Sequence, residues 1–135
     1  MEITVGFPGG ARVNANLRSF TIETDQPVKY GGEDTAPAPF ELFLTSLATC
    51  AGYYVQSFCQ KRNIPMDGIQ LIQKMEWDKK TKMVSKISME IQLPQDFPEQ
   101  YNSAVIRAAE SCSIKKHLEN PPSFEIFTSK GAAAT

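Results

Sequence analysis

Hydrophobic and polar positions divide this chain into short strand-like stretches at the beginning, one long apolar run in the middle and a mixed final third. The strand-like stretches are Ile3–Phe7, Arg12–Ala15 and Phe20–Glu23. The turn-forming Pro8-Gly9-Gly10 separates the first two, and polar residues around Asn16 separate the second from the third. Because short strands bounded by turn residues pair with their neighbours along the chain, we predict a small antiparallel meander.

A long helix is predicted after an irregular segment. Residues 25–39, DQPVKYGGEDTAPAP, contain too many prolines and glycines for a regular element, so they predict a connecting loop. The helix is expected to begin near Pro39, where a missing N–H is harmless, and to end before Pro65. Glu41 lies in its first turn, where the helix dipole favours a negative charge.

Apolar side chains lie all round this predicted helix instead of along one stripe. They are Phe40, Leu42, Phe43, Leu44, Leu47, Ala48, Ala51, Tyr53, Tyr54, Val55 and Phe58. Such a helix needs cover on several sides, so we expect it at the centre of the fold. A membrane span is the alternative, but polar residues such as Glu41 and Gln56 interrupt the run, which lacks the roughly 18 consecutive apolar residues of a span. We therefore expect no contact with a membrane.

The stretch after the long helix predicts a β-hairpin. Its strands are Ile69–Trp77 and Val84–Leu93, and the polar DKKTK between them predicts a turn. Apolar and polar residues alternate along the second strand, which places one apolar row on a single face. That row consists of Ile87, Met89, Ile91 and Leu93. We therefore predict a half-buried hairpin.

Two helices and a last strand are predicted in the final third. Pro98-Glu99 opens a helix that continues to about Ser111. A short helix, Ser113–Leu118, follows and is ended by Pro121-Pro122. The last strand is predicted at Phe124–Phe127, and the terminal GAAAT is expected to fray. The order of elements indicates an α+β fold.

Composition and charge exclude several classes of protein. The 135 residues fit one domain, which we assign to residues 1–135, and domains of this size often complete their core by dimerising. The 14 basic and 15 acidic residues nearly cancel and form no basic tract, so nucleic-acid binding is not expected. The N-terminus lacks a basic segment followed by an apolar one, which indicates no signal peptide and favours a cytoplasmic location.

The three cysteines are the main candidates for chemistry. An odd number without CxxC spacing fits neither a disulfide framework nor a structural zinc site. Cys50 and Cys59 are separated by about 900° of helical rotation, at about 100° per residue, and therefore face opposite sides of the long helix. They cannot pair with each other. Cys59 is most simply a small buried hydrophobic residue.

Cys112 lies where one predicted helix ends and the next begins. If its side chain faces the N–H groups of the helix Ser113–Leu118, their partial positive charge favours a thiolate. Cys50 and Cys112 are therefore a candidate redox pair, with plain burial of each thiol as the alternative. His117 lies on the helical face of Cys112 and is a candidate base, but a surface histidine is the simpler interpretation because no orienting partner is visible.

Two separated stretches carry a resemblance to a known family. GGEDTAPAPFELFLTSLATC and, further along, AESCSIKKHL resemble the osmotically inducible protein C and organic hydroperoxide resistance superfamily. In that family a loop rich in glycine and proline leads into P-x-E-L-L-x-A-x-x-x-C, and a later helix ends in a second cysteine followed by P-V-S or similar. Pro39-Phe40-Glu41-Leu42, Cys50 and Cys112-Ser113-Ile114 occupy these places here.

The resemblance implies both an assembly and an activity. The assembly is an intertwined homodimer in which antiparallel sheets wrap the long central helices, so that the partner covers the remaining sides of the helix. The activity is a thiol peroxidase for organic hydroperoxides, in which Cys50 forms a sulfenic acid and Cys112 resolves it as a disulfide. The expected reductant is an external lipoyl-type dithiol, with no metal and no bound organic cofactor.

Two departures from the family pattern concern the groups around Cys50. In the well-characterised peroxidase branches a glutamate directly follows the proline, whereas here Phe40 takes that place and the carboxylate is Glu41, about 100° further round the helix. This spacing is more like the less-characterised branch. The resemblance also implies an arginine that stabilises the thiolate; we assign Arg12, with Arg18 and Lys29 as competitors.

Other functions stay open beside the peroxidase. One is a non-enzymatic dimeric protein of the same fold that binds a small apolar or sulfur-containing ligand, an interpretation that Phe40 in the place of the glutamate favours. The other is a thiol-based redox sensor. For Glu41 the alternative to a catalytic role is a helix-start anion, which its position already explains.

Overall fold

The computed structural model describes residues 1–131, and three of its strands form the predicted N-terminal meander. These are β1 (Ile3–Gly9), β2 (Arg12–Leu17) and β3 (Phe20–Thr24), paired antiparallel in the order β1-β2-β3. Within residues 1–131 no helix and no strand of the other sheet packs substantially against this sheet. Except for its first glycine, the GAAAT segment expected to fray lies outside the described residues.

The register of the meander gives it one apolar and one polar face. Directly paired residues project from the same face of a sheet, so the pairs Ile3↔Leu17↔Phe20 and Val5↔Ala15↔Ile22 line the apolar face. The triplet Thr4↔Asn16↔Thr21 lies on the other face, where the Thr21 hydroxyl donates to Asn16 Oδ1 at 3.0 Å. Ile3 remains 56 % exposed although it belongs to the apolar face.

A buried carboxylate organises the loop that follows the meander. The side chain of Asp25 accepts hydrogen bonds from the Gln26 N–H at 2.7 Å, the Thr35 hydroxyl at 2.6 Å, the Thr35 N–H at 3.1 Å and the Glu33 N–H at 3.3 Å. Its own N–H donates to the Pro37 carbonyl at 3.2 Å. The loop has one turn of 3₁₀ helix, Val28–Tyr30, but is otherwise irregular, as its prolines and glycines predicted.

Helix α1 (Pro39–Lys61) agrees with the predicted bounds, but its burial is one-sided. The buried side chains recur at the spacing of a single helical face; they are Leu44, Leu47, Ala51, Val55, Phe58 and Cys59. Apolar residues elsewhere on α1, such as Phe40 and Tyr53, stay exposed. We expected α1 to be covered on several sides, but residues of the same chain cover only one of its faces within the described residues.

The hairpin packs against α1 through its first strand. It consists of β4 (Gln70–Trp77) and β5 (Val84–Gln92), paired antiparallel. The amide of Gln73 on β4 donates to the Leu44 carbonyl of α1 at 2.9 Å. This bond ties the sheet to the middle of the helix.

The final third contains two short helices. A turn of 3₁₀ helix, Glu99–Tyr101, precedes α2 (Asn102–Ala109), and α3 spans Ser113–Glu119. The predicted helix Pro98–Ser111 is therefore divided and shortened. At the junction, Cys112 has an extended backbone (φ −57°, ψ 123°), which breaks the helical path between α2 and α3.

The predicted last strand is wrong within the isolated chain. Residues 120–131 contain no strand. A strand requires hydrogen-bonding partners, and none of the five strands within residues 1–131 pairs with Phe124–Phe127. As a result Phe124 is 85 % and Ile126 95 % exposed. The core itself lies between α1 and α2 and is formed by Val55, Phe58, Cys59, Phe97 and Val105.

Candidate functional site

The fold places Cys50 of α1 beside Cys112 at the start of α3. Both are free thiols, with Cys50 half-buried and Cys112 only 4 % exposed. The side chain of each cysteine influences the pKa of the other, which reflects their closeness. They come together because α1 packs against both α2 and α3. The structure thus joins two of the residues singled out from the sequence, although they are separated by a hairpin and a helix along the chain.

Hydrogen bonds lower the pKa of the Cys50 thiol. Burial of the sulfur by itself raises this pKa, because a buried charge loses solvation. Hydrogen bonds from the Cys112 side chain, from the N–H groups of Ile114 and Ser113, and from the Ser113 side chain act in the opposite direction and outweigh burial. The Cys50 pKa therefore lies below the ordinary value of a thiol, and its thiolate is favoured.

The pKa of Cys112 moves in the opposite direction. Burial raises it most, and the hydrogen bond with Cys50 raises it further. The N–H groups of Lys115 and Ile114 lower the Cys112 pKa only in part. The thiolate predicted for Cys112 is therefore not favoured: the N–H groups at the start of α3 stabilise Cys50 more effectively. Of the two thiols, Cys50 is therefore the one whose thiolate is favoured, and Cys112 the one whose protonated form is favoured.

The third cysteine is part of the core, as the sequence predicted. Cys59 is fully buried in the cluster that contains Phe58 and Val105. Burial raises its pKa, and the nearby Arg62 guanidinium lowers that pKa only partly. The guanidinium carbon lies 3.7 Å from the centre of the Phe58 ring. A buried, protonated thiol of this kind is unreactive.

Glu41 is engaged at the beginning of α1. Its carboxylate accepts a hydrogen bond from the Ala38 N–H at 2.9 Å, which satisfies a donor that the helix leaves free. Over residues 1–131 no hydrogen bond or ion pair joins Glu41 to Cys50. The geometry therefore supports the helix-start role, while a role in catalysis stays a prediction.

The three candidate cations are all exposed and lie on the meander or on the loop that follows it. Arg12 begins β2 opposite Gly9. The Arg18 guanidinium lies 5.4 Å from the ring centre of Phe20, and the Lys29 ammonium lies 5.3 Å from that of Tyr30. In the part of the chain that the structure describes, none of the three cations forms a hydrogen bond with Cys50. Arg12 as the activating cation stays a prediction.

His117 is an exposed residue of α3 that bonds to its own helix. Its Nδ1 lies 2.6 Å from the Ser113 carbonyl oxygen. Because a carbonyl only accepts, Nδ1 carries the proton. The imidazole is thus directed at the backbone and not at either thiol, which agrees with the simpler interpretation of the sequence. Among residues 1–131, no group of three or more His, Cys, Asp or Glu side chains is arranged to hold a metal ion.

An apolar cavity of about 680 Å³ opens beside Cys112. It lies between the apolar face of β5 and the helices, and Leu47, Met89, Ile91 and Val105 are among its lining residues. Lys115 and Glu110 provide charges at this cavity. A space of this size and character suits a small apolar molecule.

Ser113 and Ile114 are site residues that sequence reasoning did not assign. Their only sequence signal is their position directly after Cys112, at the first turn of a short helix. That the N–H groups of this turn act on Cys50 depends on the packing of α3 against α1. The periodicity of neither helix contains this information.

Comparison with known proteins identifies the family. The family model of OsmC-like proteins matches residues 31–127. No curated protein matches the sequence significantly. The region matched contains both Cys50 and Cys112.

Several solved structures are similar to this chain over most of their length. One is a candidate osmotic stress induced and detoxification response protein from Psychrobacter arcticus, with 25% identity, a TM-score of 0.71 and coverage of 84% of this chain and 85% of that chain. An OsmC-like protein from Mycoplasma pneumoniae has 13% identity, a TM-score of 0.69 and coverage of 89% and 87%. The organic hydroperoxide resistance protein OhrB of Bacillus subtilis has 19% identity, a TM-score of 0.52 and coverage of 89% and 90%. The antiparallel sheets and the three helices thus form an OsmC-like α+β fold, and the chain belongs to the OsmC-like family.

Proposed function

We propose that this protein is a thiol-dependent peroxidase that reduces organic hydroperoxides through Cys50 and Cys112. The observation that supports this most directly is the packing of α1 against α3, which brings Cys50 to the residues at the start of α3 beside Cys112. In this position the pKa of Cys50 is lowered and that of Cys112 is raised, which favours Cys50 as the nucleophile and Cys112 as its partner in a disulfide.

The chemistry proceeds in two steps. In the first, the Cys50 thiolate attacks the terminal oxygen of the hydroperoxide, the O–O bond breaks, and the alkoxide leaves and takes a proton to become an alcohol. Cys50 is then a sulfenic acid. In the second, the sulfur of Cys112 attacks that of Cys50, an S–S bond forms, and the hydroxyl group leaves with the Cys112 proton as water. An external lipoyl-type dithiol then reduces the disulfide and restores both thiols.

A homodimer is part of this proposal. The apolar face of the meander, the outer face of α1 and residues 124–127 are exposed in one chain. Exposed apolar surfaces of this extent mark interaction sites. A second copy of this chain would supply complementary apolar surfaces of the same kind. The cytoplasm, which keeps thiols reduced, is the compartment in which the cycle would operate.

The test is a count of free thiols before and after addition of equimolar cumene hydroperoxide. We expect the Cys50 and Cys112 thiols to disappear together in the wild type, Cys50→Ser to lose neither, and Cys112→Ser to lose only that of Cys50. Cys59→Ala is the control and should react as the wild type does, because this thiol lies in the core. Consumption of peroxide that survives in Cys50→Ser would overturn the proposal.

The second candidate is a non-enzymatic dimeric protein of the same fold that binds a small apolar ligand. The apolar cavity beside Cys112 and the engagement of Glu41 with Ala38 favour it. Under this alternative Cys50 reacts with cumene hydroperoxide no faster than free cysteine does, while an apolar ligand binds. Stopped-flow measurement of the peroxide reaction separates the two candidates.

A further inference from the structure

Ser113, the first residue of α3, lies beside the sulfur of Cys50 on α1. Its Oγ lies 4.0 Å from Cys50 Sγ, within the range of a hydrogen bond to sulfur. Its backbone N–H also lowers the pKa of the Cys50 thiol. This N–H is free to do so because Ser113 is the first residue of α3 and lacks an intrahelical acceptor. One residue therefore presents two donors to the same sulfur.

The charged and titratable groups around this contact do not replace those donors. Among the described residues, the elements packed against α1 are α2, α3 and β4. Apart from Cys112, none of their titratable groups forms a hydrogen bond with Cys50. The titratable groups on these elements, none of which bonds to Cys50, are Lys74 and Glu76 on β4, Arg107 and Glu110 at α2, and Lys115, Lys116, His117 and Glu119 on α3.

We propose that Ser113 stabilises the Cys50 thiolate through its hydroxyl and its N–H, so that this chain activates its nucleophile with neutral donors of its own. The inference rests on the proposed function, because it names the residue that prepares Cys50 for attack. Neutral donors fixed by the backbone favour an anion without the mobility of a long cationic side chain. A hydroxyl group also follows the growing and vanishing charge on sulfur by simple rotation.

Two substitutions separate the contributions of the two donors. Ser113→Ala removes the hydroxyl and keeps the N–H. Ser113→Pro removes both, and it should fold because proline is favoured at the first position of a helix. The preceding Cys112 already has the extended backbone that proline requires of its neighbour.

The measurement is the pH dependence of Cys50 alkylation by iodoacetamide in the reduced protein, followed by mass spectrometry of the Cys50 peptide. We expect the midpoint to rise by roughly half a pH unit in Ser113→Ala and by more in Ser113→Pro, since each donor favours the thiolate. At pH 7 this corresponds to an alkylation rate about threefold lower in Ser113→Ala. Ser113→Thr, which keeps the hydroxyl, should restore the wild-type midpoint.

Ser111→Ala is the matched control. Its hydroxyl donates to the Arg107 carbonyl at 3.3 Å, so the same atoms are removed nearby without a contact to Cys50. Equal midpoints in the wild type, Ser111→Ala, Ser113→Ala and Ser113→Pro would overturn the inference. A shift in both Ser113 variants in a protein that does not react with cumene hydroperoxide would leave the inference standing and remove the proposed peroxidase.

Discussion

The N-terminal meander and the region from Pro39 onward differ in how far their apolar side chains are covered by the same chain. In the region from Pro39 onward, α1 packs against α2, α3 and β4, and Cys59 and Val105 are fully excluded from solvent. In the N-terminal meander, Phe7 is 80 % exposed, and the apolar face has no helix of the same chain packed substantially against it. The candidate site lies in the region from Pro39 onward, because both Cys50 and Cys112 belong to it.

The contacts that affect the reactivity of Cys50 are therefore distinct from those that would stabilise the meander. The contacts that lower the Cys50 pKa are made by Cys112, Ser113 and Ile114 of the same chain. The apolar face of the meander, in contrast, requires cover from outside the chain to be removed from water. We therefore expect loss of the partner to weaken the fold while the local environment of Cys50 persists. The two regions are connected by the loop of residues 25–38, which Asp25 organises and which we call the joint.

The largest effect is expected from a charge on the apolar face of the meander. Val5→Glu should raise the dimer dissociation constant roughly 30-fold or more, because burying an unpaired carboxylate costs about 2 kcal/mol at least and each 1.4 kcal/mol is about tenfold. Sedimentation equilibrium measures this. The pH midpoint of Cys50 alkylation should not change.

Thr4→Glu is the control for this comparison. Thr4 pairs with Asn16 on the polar face of the same strand, so the same charge is added next to Val5 but outside the proposed interface. If both variants weaken the dimer equally, the assignment of the faces is wrong. If Val5→Glu shifts the pH midpoint of Cys50 alkylation, the candidate site depends on the partner, and the meander and the site cannot be perturbed separately.

A smaller effect is expected at the joint. A Cβ added at Gly32 would lie 1.9 Å from the Gln26 carbonyl oxygen and 2.8 Å from Asp25 Oδ1, so the backbone of the loop would have to move. Overpacking of this kind typically costs about 1–3 kcal/mol, and we expect Gly32→Ala to lower the free energy of unfolding by that amount. Urea denaturation monitored by circular dichroism measures the change.

Gly6→Ala serves as the reference, because a Cβ there meets no atom within 4 Å. It should change stability much less than Gly32→Ala does. An equal loss in both variants would show that the close approach of Gly32 to Asp25 and Gln26 does not determine the structure of the joint.

The smallest effect is a pH dependence of stability from the same joint. Hydrogen bonds from the Thr35 side chain and N–H and from the Gln26 N–H lower the pKa of Asp25 to about 2, from an ordinary value of 3.8. The ionised form is favoured in the folded chain, so its contribution is present above about pH 4 and is lost as the pH falls toward 2. Asp25→Asn should therefore reduce the loss of stability between pH 5 and pH 2.5, measured by thermal unfolding.

Asp34→Asn is the matched variant for this pH series. Asp34 is exposed in the same loop and has a left-handed backbone (φ 54°), which asparagine also adopts readily. Its acid sensitivity should equal that of the wild type. An unchanged acid sensitivity in Asp25→Asn would contradict the role given to this carboxylate.

Much of the fold was predictable from local patterns. The meander, the start of α1 at Pro39, the hairpin and the short helix after Cys112 all agree with the structure. Turn residues, prolines and periodicity act through nearby atoms, so one sequence reveals them. The site was predictable in part: the residues alone made Cys50 and Cys112 a candidate redox pair, the family resemblance gave each a role, and the structure brings them together.

The failures share a different cause. The strand predicted at Phe124–Phe127 did not form, because its pattern was suitable but the chain offers it no neighbouring strand. Cover on all sides of α1 was expected, but one chain covers one face. The stabilisation of Cys50 by Ser113 was missed because it joins two helices whose contact is decided by packing.

By itself, then, the sequence determined the meander, the long helix, the hairpin and the short helix after Cys112, and it named the side chains that are candidates for chemistry. Those properties depend on backbone sterics, hydrogen bonds between near neighbours and the chemical identity of each residue. The tertiary structure alone decided which thiol has the lowered pKa, which groups at the start of α3 act on it and which apolar faces stay open. These depend on distances between residues far apart in the chain, and burial and hydrogen bonding shift a pKa only once those distances are set.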